Sequence, residues 1–328
     1  MEDNITIREI TSDDIMQLVS LYDRVWPENA GYFLHKTAWA IKSSDYNGVC
    51  AEIENKIIGS RACFYANIYY GDKKISSVQL GDSCVDKKYR RHGLFTRMNK
   101  AFLSAYFKTK DELIYNISVG ASRKANEKIG WVYIDSLSNL IRIPNICRFL
   151  IHSKFNIKKL AGNIVSDKSD IPNVDKVPEE LLRIRESLMI ESKLLHNRYD
   201  RETLRWRVGS DSNIKLLMVE KCGVCFYKTG YKNGLYCCNI GEMFLYDYSY
   251  KCYRKVLKQL EVLGKFDMIN ISITHSHPLY RFYRRSMFML NPKKKYLNHG
   301  VRVESEKMKE ICLNPDNWAI ADLDIDTF

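Results

Sequence analysis

The feature that most restricts what this chain can fold into is an order of segments that occurs twice. Residues 48–54, 56–70 and 76–85 run apolar or alternate as strands do, with turn signals at Asn55-Lys56 and over 71–74. Leu94, Phe95, Met98, Ala101, Phe102 and Ala105 then recur at helical spacing over 94–107. A strand at 112–119, a short helix at 122–129 and a strand at 130–143 follow. From 214 the order returns: strands near 214–220, 224–229 and 235–246, a helix at 249–263, a strand at 267–274, a short helix at 278–286 and a last strand near 299–304. Residue identity between the two runs is low, so it is the order that suggests an internal duplication. Strands that alternate with helices require a sheet with parallel neighbours joined through those helices, hence an α/β class with mixed sheets.

The first run is preceded by a strand at 5–10, a helix started by Asp13 or Asp14, and a helix near Tyr32–Lys42. Between the runs, 151–177 mixes lysines with Gly162, Ser166, Ser169 and Pro172 and reads as a connector. Pro178 suits the first turn of a helix opening the second block. The expected division is therefore 1–150, 151–177 and 178–328, a length that accommodates two domains at 328 residues.

No run of 18 or more apolar residues exists, so no membrane-spanning helix is expected, and the charged opening MEDNITIREI has no secretory character. Ten cysteines lie without framework spacing. In a chain of this kind they read as reduced thiols in a cytoplasmic protein, with Cys63 and Cys84 as small core residues. The net charge of +12 points to an anionic partner: nucleic acid, an anionic surface or a phosphate-rich ligand.

One stretch gives that charge a place. In KKYRRHGLFTRMNK, residues 87–100, Arg90-Arg91-His92-Gly93 falls where a strand ends and a helix begins. A glycine-containing turn there offers free backbone N–H groups, reinforced by the helix dipole, to an anion. Gly93 permits close approach of a phosphate, and Arg90 and Arg91 add charge-assisted contacts. No G-x-x-x-x-G-K-[ST] and no G-x-G-x-x-G is present, so the cradle is neither a Walker loop nor a dinucleotide fingerprint.

The run Val85-x-x-x-Tyr89-Arg90-Arg91-His92-Gly93-Leu94-Phe95 resembles the acyl-CoA-binding motif, R/Q-x-x-G-x-G/A after the fourth strand, of the GNAT N-acetyltransferase superfamily. The strand order over 5–143 and KANEKIGW (124–131) resemble the family too. The second block is similar to a degenerate copy in two-domain members, some of which serve surface-polysaccharide biosynthesis, with Met287 of 283–288 standing where glycine is usual. DRETLRWRV (200–208) and NWAIADLDID (317–326) share that likeness. The resemblance implies two tandem GNAT-like domains, one acetyl-CoA site in the first, and an acceptor pocket shaped by the second. The backbone of Cys84 and Val85 would pair with the pantetheine arm, and the amides of Arg91, His92, Gly93, Leu94 and Phe95 would hold the pyrophosphate. An amine would attack the thioester directly, with a base for the ammonium and an acid for the thiolate.

The sequence also departs from that pattern. Phe95 stands where glycine or alanine is usual, Lys87 where proline is frequent, and Asn126 where a tyrosine often acts as acid. Asp82 is a candidate base on the fourth strand, against a plain strand carboxylate. Ser122 and Asn116 are candidates for the thiol end, and Tyr283 for a catalytic role, against a packed tyrosine. Cys222, Cys225, Cys237 and Cys238 carry no histidine nearby, and adjacent cysteines point to opposite strand faces, so a zinc site is not expected. His275 and His277 suggest a turn or substrate-facing role, and Asp322, Asp324 and Asp326 an acidic tail. The run 280–296 has six basic and no acidic residues. It reads as an amphipathic helix with a solvated turn, as a nucleic-acid surface built on phosphate contacts and stacking, or as a rim for a nucleotide-linked sugar. The acceptor reading is a small amine, such as a nucleotide-linked amino sugar. The alternative is a nucleic-acid-directed protein, either a tRNA-modifying acyltransferase or a binding module.

Overall fold

The computed structural model describes residues 4–27, 32–42, 47–108, 111–118, 120–154, 173–209, 213–232 and 234–325. Most of the 151–177 connector, and Asp326, lie outside them. The first half runs β1 (Thr6–Glu9), α1 (Ile15–Val25), α2 (Tyr32–Lys42), β2 (Gly48–Ile53), β3 (Lys56–Tyr65), β4 (Ile68–Tyr70), β5 (Lys73–Lys74), β6 (Ser77–Val85), α3 (Leu94–Tyr106), β7 (Leu113–Ser118), α4 (Gly120–Glu127), β8 (Val132–Tyr133), β9 (Leu137–Arg142) and α5 (Ile146–Lys154). The second runs α6 (Glu179–Glu191), β10 (Leu195–Asn197), α7 (Arg201–Val208), β11 (Lys215–Val219), β12 (Gly223–Lys232), β13 (Leu235–Leu245), α8 (Tyr250–Gly264), β14 (Met268–Thr274), α9 (Tyr280–Arg285), β15 (Met289–Leu290), β16 (Asn298–Val303), α10 (Glu306–Cys312) and β17 (Trp318–Ala319).

Two compact units form, and they do not follow chain order. Unit 1 holds residues 1–68, 74–134 and 298–314, and unit 2 holds 69–73, 135–297 and 315–328. This differs from a division at 150, and the cause is strand pairing. The sheet of unit 1 has the order β1-β2-β3-β6-β7-β16-β8, and that of unit 2 the order β11-β12-β13-β14-β9-β15. The strand expected over 130–143 is two strands that separate at Asp135, whose φ is 43°. β9 runs antiparallel to β14 from Leu137↔Thr274 to Arg142↔Ile269. β16 runs antiparallel to β7 from Asn298↔Ser118 to Val303↔Leu113. Each sheet thus takes one strand from the far half of the chain. That strand satisfies backbone N–H and C=O groups that would otherwise lie on an open edge.

Within unit 1 the cores form on both faces of the sheet. Leu94, Met98 and Phe102 of α3 pack on Val49, Ile58, Leu80 and Ile114. Leu18, Leu21, Tyr22 and Val25 of α1 pack on Cys50, Ile57 and Cys84. Asp14 is the N-cap of α1, but its carboxylate faces back: it closes the 3-10 turn Ser12–Asp14 by accepting from Thr11 N–H at 2.8 Å, and accepts from both Nη atoms of Arg8 at 2.7 and 2.8 Å, an ion pair that holds it below the usual carboxylate range. The internal repeat is also visible in backbone geometry. Gly130 (φ 87°) follows α4, and Met287 (φ 63°) takes the same left-handed conformation after α9.

Ile134 N–H already donates to His299 O at 3.0 Å, so a short glycine-serine linker from 134 to 298 completes the sheet of unit 1. This spliced chain, 1–134 joined to 298–314, is expected to melt cooperatively by circular dichroism. Residues 1–150, which lack β16, are expected not to; a cooperative melt of that fragment would refute the requirement for the exchanged strand.

Candidate functional site

The site of unit 1 begins with one extra residue in β6. Along β3 and β6 the register passes from Ser60↔Cys84 to Ala62↔Gly81, so Arg61 alone faces both Asp82 and Ser83. Such a bulge bends its strand and increases the local twist. Asp82 sits within it at φ 42°, a region that costs a non-glycine residue about 1–3 kcal/mol. On the opposite edge β6 pairs in parallel with β7 only from Ser77↔Leu113 to Leu80↔Asn116, although β6 continues to Val85 and β7 to Ser118. Beyond Leu80 the two strands part and leave a cleft walled by backbone groups.

The cleft leads to the start of α3. Asp86 accepts from Lys88 N–H at 3.1 Å and from Arg24 Nε at 3.0 Å, and Arg90 Nε donates to Val85 O at 3.0 Å. These bonds fix the turn. Arg91 (φ 70°) and Gly93 (φ 68°) are both left-handed. Gly93 is the N-cap of α3 and has no side chain to cap it, so the helix opens with its first amides uncapped by a side chain, which is an anion-binding geometry. A Cβ on Gly93 would meet nothing within 4 Å, so the space beside the turn is open. A cavity of about 400 Å³ lies there, lined by Ser83, Cys84, Val85, Tyr89, Arg90, Arg91, Gly93, Leu94, Phe95, Thr96, Ser122 and Ala125.

The sequence-derived set is therefore partly gathered. Cys84, Val85, Arg90, Arg91, Gly93, Leu94, Phe95 and Ser122 line the cavity, and His92 is exposed beside it. Asn116 and Asn126 are buried, and Asn126 Nδ2 donates to Tyr133 Oη at 3.0 Å; neither lines the cavity. Asp82 accepts from the buried Lys36 Nζ at 2.7 Å. Ser83 was not singled out from sequence, and Tyr89, Thr96 and Ala125 stood in the quoted runs without a role of their own, since only the fold brings them to one wall.

An acetyltransferase (GNAT) domain family model matches residues 6–134. The likeness to the GNAT superfamily thus lies over residues 6–134. A comparison with curated proteins gives no match. Solved structures share the fold at low identity. A putative acetyltransferase from Pyrococcus horikoshii matches at 14% identity and TM-score 0.57, over 97% of this chain and 94% of that one. A GCN5-related N-acetyltransferase from Anabaena variabilis matches at 10% identity and TM-score 0.62, over 94% and 75%. Saccharomyces cerevisiae N-myristoyltransferase, solved with bound myristoyl-CoA, matches at 12% identity and TM-score 0.56, over 91% and 78%. The acyltransferase fold thus spans nearly the whole chain, while the matched GNAT domain is the part that carries the cradle. Among the described residues no helix is long and apolar enough to cross a membrane.

Unit 2 repeats the GNAT strand order but closes the corresponding places. β13 and β14 pair in parallel only from Cys237↔Met268 to Asn239↔Asn270 and then part. There the C-terminal segment enters. Thr274 N–H donates to Ile320 O at 3.0 Å, Ile320 N–H to Thr274 Oγ1 at 3.1 Å, and Ser272 N–H to the Asp322 carboxylate at 2.6 Å. At α8 the N-cap is Ser249, whose hydroxyl accepts from Cys252 N–H at 3.3 Å. Cleft amides and helix amides that remain open in unit 1 are satisfied internally in unit 2.

Several candidates in unit 2 take structural places. Tyr283 is fully buried, with Tyr253 and Phe288 rings at 5.1 and 5.0 Å, and burial pushes its phenol well up. A hydroxyl sealed in the core is a packing group, which corrects its catalytic candidacy. His277 Nε2 and Glu242 meet at 3.2 Å in a buried network with Arg185. In the basic run 280–296, Tyr283 and Phe288 face the core and Arg285 stacks on Tyr250 at 4.2 Å. Cys222, Cys225, Cys237 and Cys238 are buried, and among the described residues no group of three or more His, Cys, Asp and Glu could hold a metal ion.

Two expectations follow. Gly93→Ala has room for its methyl but must hold φ 68°, so it should cost about 1–2 kcal/mol, and Gly93→Asn, which tolerates that region, less; equal melting of all three chains would contradict the left-handed turn. Asp322 is pushed up to about 7 by burial. A carboxyl raised in the folded state stabilises fully below its unfolded value, and the effect is lost as pH rises through the folded one. The Asp322 contribution should therefore fall from pH 4 to 7, by at most about 4 kcal/mol, against the opposite trend from His299, which burial pushes down to about 3, so in denaturant melts stability should rise more steeply with pH in Asp322→Asn than in the parent.

Proposed function

We propose that this chain is an acetyl-CoA-dependent N-acyltransferase acting on a primary amine of a small acceptor. The observation that carries the reading is the cleft between β6 and β7 running directly into the uncapped N-terminus of α3. Arg91, His92, Gly93, Leu94 and Phe95 receive the pyrophosphate through their amides, and Arg90 and Arg91 add charge. The backbone of Cys84 and Val85, at the cavity wall, pairs with the amides of the pantetheine arm, which sets the thioester beside the bulge. The amine nitrogen attacks the thioester carbonyl, the C–N bond forms and the C–S bond breaks. Asp82, held by Lys36 at 2.7 Å, takes one proton from the ammonium before attack; a second passes from the attached nitrogen to the departing sulfur, which leaves as the thiol with Ser122 hydrogen-bonded to it. Asn116 and Asn126 support this wall from behind.

A nucleotide-linked amino sugar suits the net charge of +12, since its diphosphate needs cations. The nucleic-acid reading of 280–296 draws less support, because Tyr283 and Phe288 face inward and Tyr296 is the exposed aromatic of the run. Eight of the ten cysteines are buried, which suits a reducing cytoplasm.

At about 100 times its dissociation constant acetyl-CoA should stabilise the fold by roughly 2.7 kcal/mol. The shift should vanish in Arg90→Ala/Gly93→Asp, and an amine panel should release free thiol from acetyl-CoA with the parent alone. A folded parent that shows neither shift nor thiol release would overturn the proposal.

A further inference from the structure

The guanidinium of Arg61 is the outstanding unexplained charge of unit 1. The residue is 2% exposed, sits opposite the bulge, and has Phe95 and Trp131 rings at 5.4 and 5.8 Å. Nη1 donates to Ser83 Oγ at 2.7 Å, and that hydroxyl donates onward to Gly81 O at 3.2 Å. Nε and Nη2 are buried without an acceptor, as is Nε1 of Trp131. The nearby carboxylates are engaged elsewhere: Asp82 by Lys36, Asp86 by Arg24, Glu52 by Arg8. A buried cation is ordinarily paired, because desolvation without a counter-ion is costly. Here burial pulls the guanidinium down to about 10, and no acid answers it.

The pattern of open donors is specific. Nε and Nη2 form one edge of the guanidinium fork, the edge that receives the two oxygens of a carboxylate side by side. Ser83 and Phe95, which touch Arg61, both line the 400 Å³ cavity, so Arg61 lies directly behind the wall of the donor pocket. We propose that Arg61 is a specificity residue that binds a substrate carboxylate at the inner end of this cavity. This rests on the acyl-CoA reading above and adds the substrate class. The carboxylate is carried either by the acyl group, as in a dicarboxylic acyl thioester, or by the amine acceptor, as in an amino acid. Trp131, whose ring lies 5.8 Å from the guanidinium, carries a further open donor in its Nε1.

Binding constants for acetyl-CoA and succinyl-CoA, and then for propylamine and β-alanine in the presence of coenzyme A, test this with the parent and Arg61→Met. Tighter binding of succinyl-CoA by about tenfold or more, lost in the variant, assigns the carboxylate to the donor. The same preference for β-alanine, lost in the variant, assigns it to the acceptor. Arg61→Met should keep its affinity for acetyl-CoA and melt at or above the ligand-free parent, because apolar replacement of an unpaired buried charge removes a cost. If the variant does not fold, Arg61→Lys, which keeps charge and loses the fork, should lose the preference. Equal affinities in both pairs overturn the Arg61 assignment alone, and so does a preference that survives Arg61→Met. Failure of the parent to bind any of these thioesters overturns the acyl-CoA reading and this proposal with it.

Discussion

One extra residue in β6 organises the site. Opposite Arg61 the strand spends two residues where its partner spends one, and the resulting bend coincides with the end of its pairing to β7 at Leu80↔Asn116. A parallel pair that parted without cause would abandon ladder hydrogen bonds for nothing. Here the parting exposes backbone groups that an extended amide-containing ligand can complete, and it directs the strand into the turn at Arg90–Gly93. Without the bulge the strands could stay paired to the end of β7 at Ser118, opposite Asp82, and the cleft leading to the helix N-terminus would narrow.

Unit 2 shows what the same strand order becomes when the chain fills its own cleft. The β13–β14 opening is completed by Ile320 and Asp322, and Ser249 caps α8 where Gly93 leaves α3 uncapped. The difference lies in a handful of polar groups, since both sheets keep three antiparallel strands, a helix-linked parallel pair and an exchanged strand. Hydrogen-bonding capacity left open in one unit is consumed in the other.

Local spacing made most elements legible. The stripe Leu94–Ala105, the alternation in 76–85 and the turn Arg90–Gly93 each carry their period or chemistry within about a dozen residues, and all three occur where that spacing places them. The exchange of β9 and β16 was not legible. Leu137–Arg142 reads as a strand whichever edge it joins, and the pairing of Val303 with Leu113 leaves no mark at that sequence distance. The cavity wall was legible for the cradle and Ser122 but not for Ser83, because only the bulge turns Ser83 towards Arg61. Tyr283 misled for the same reason: a basic, aromatic helix looks the same in sequence whether its tyrosine faces solvent or the core.

What is locally unfavourable in unit 1 gathers at the bulge. Asp82 holds a left-handed backbone, Lys36 is buried to meet it, and Arg61 is buried with no acid at all. Each violates a preference that an ordinary core would satisfy with an aliphatic residue, and the surrounding packing of Phe64, Phe95 and Trp131 holds them in place. A sequence selected only for stability would lose these charges, since well-packed apolar substitutes are often the more stable choice. Lys36 and Asp82 answer each other; the place of Arg61 beside the cleft follows if the cleft's ligand, and not the fold, is what satisfies it.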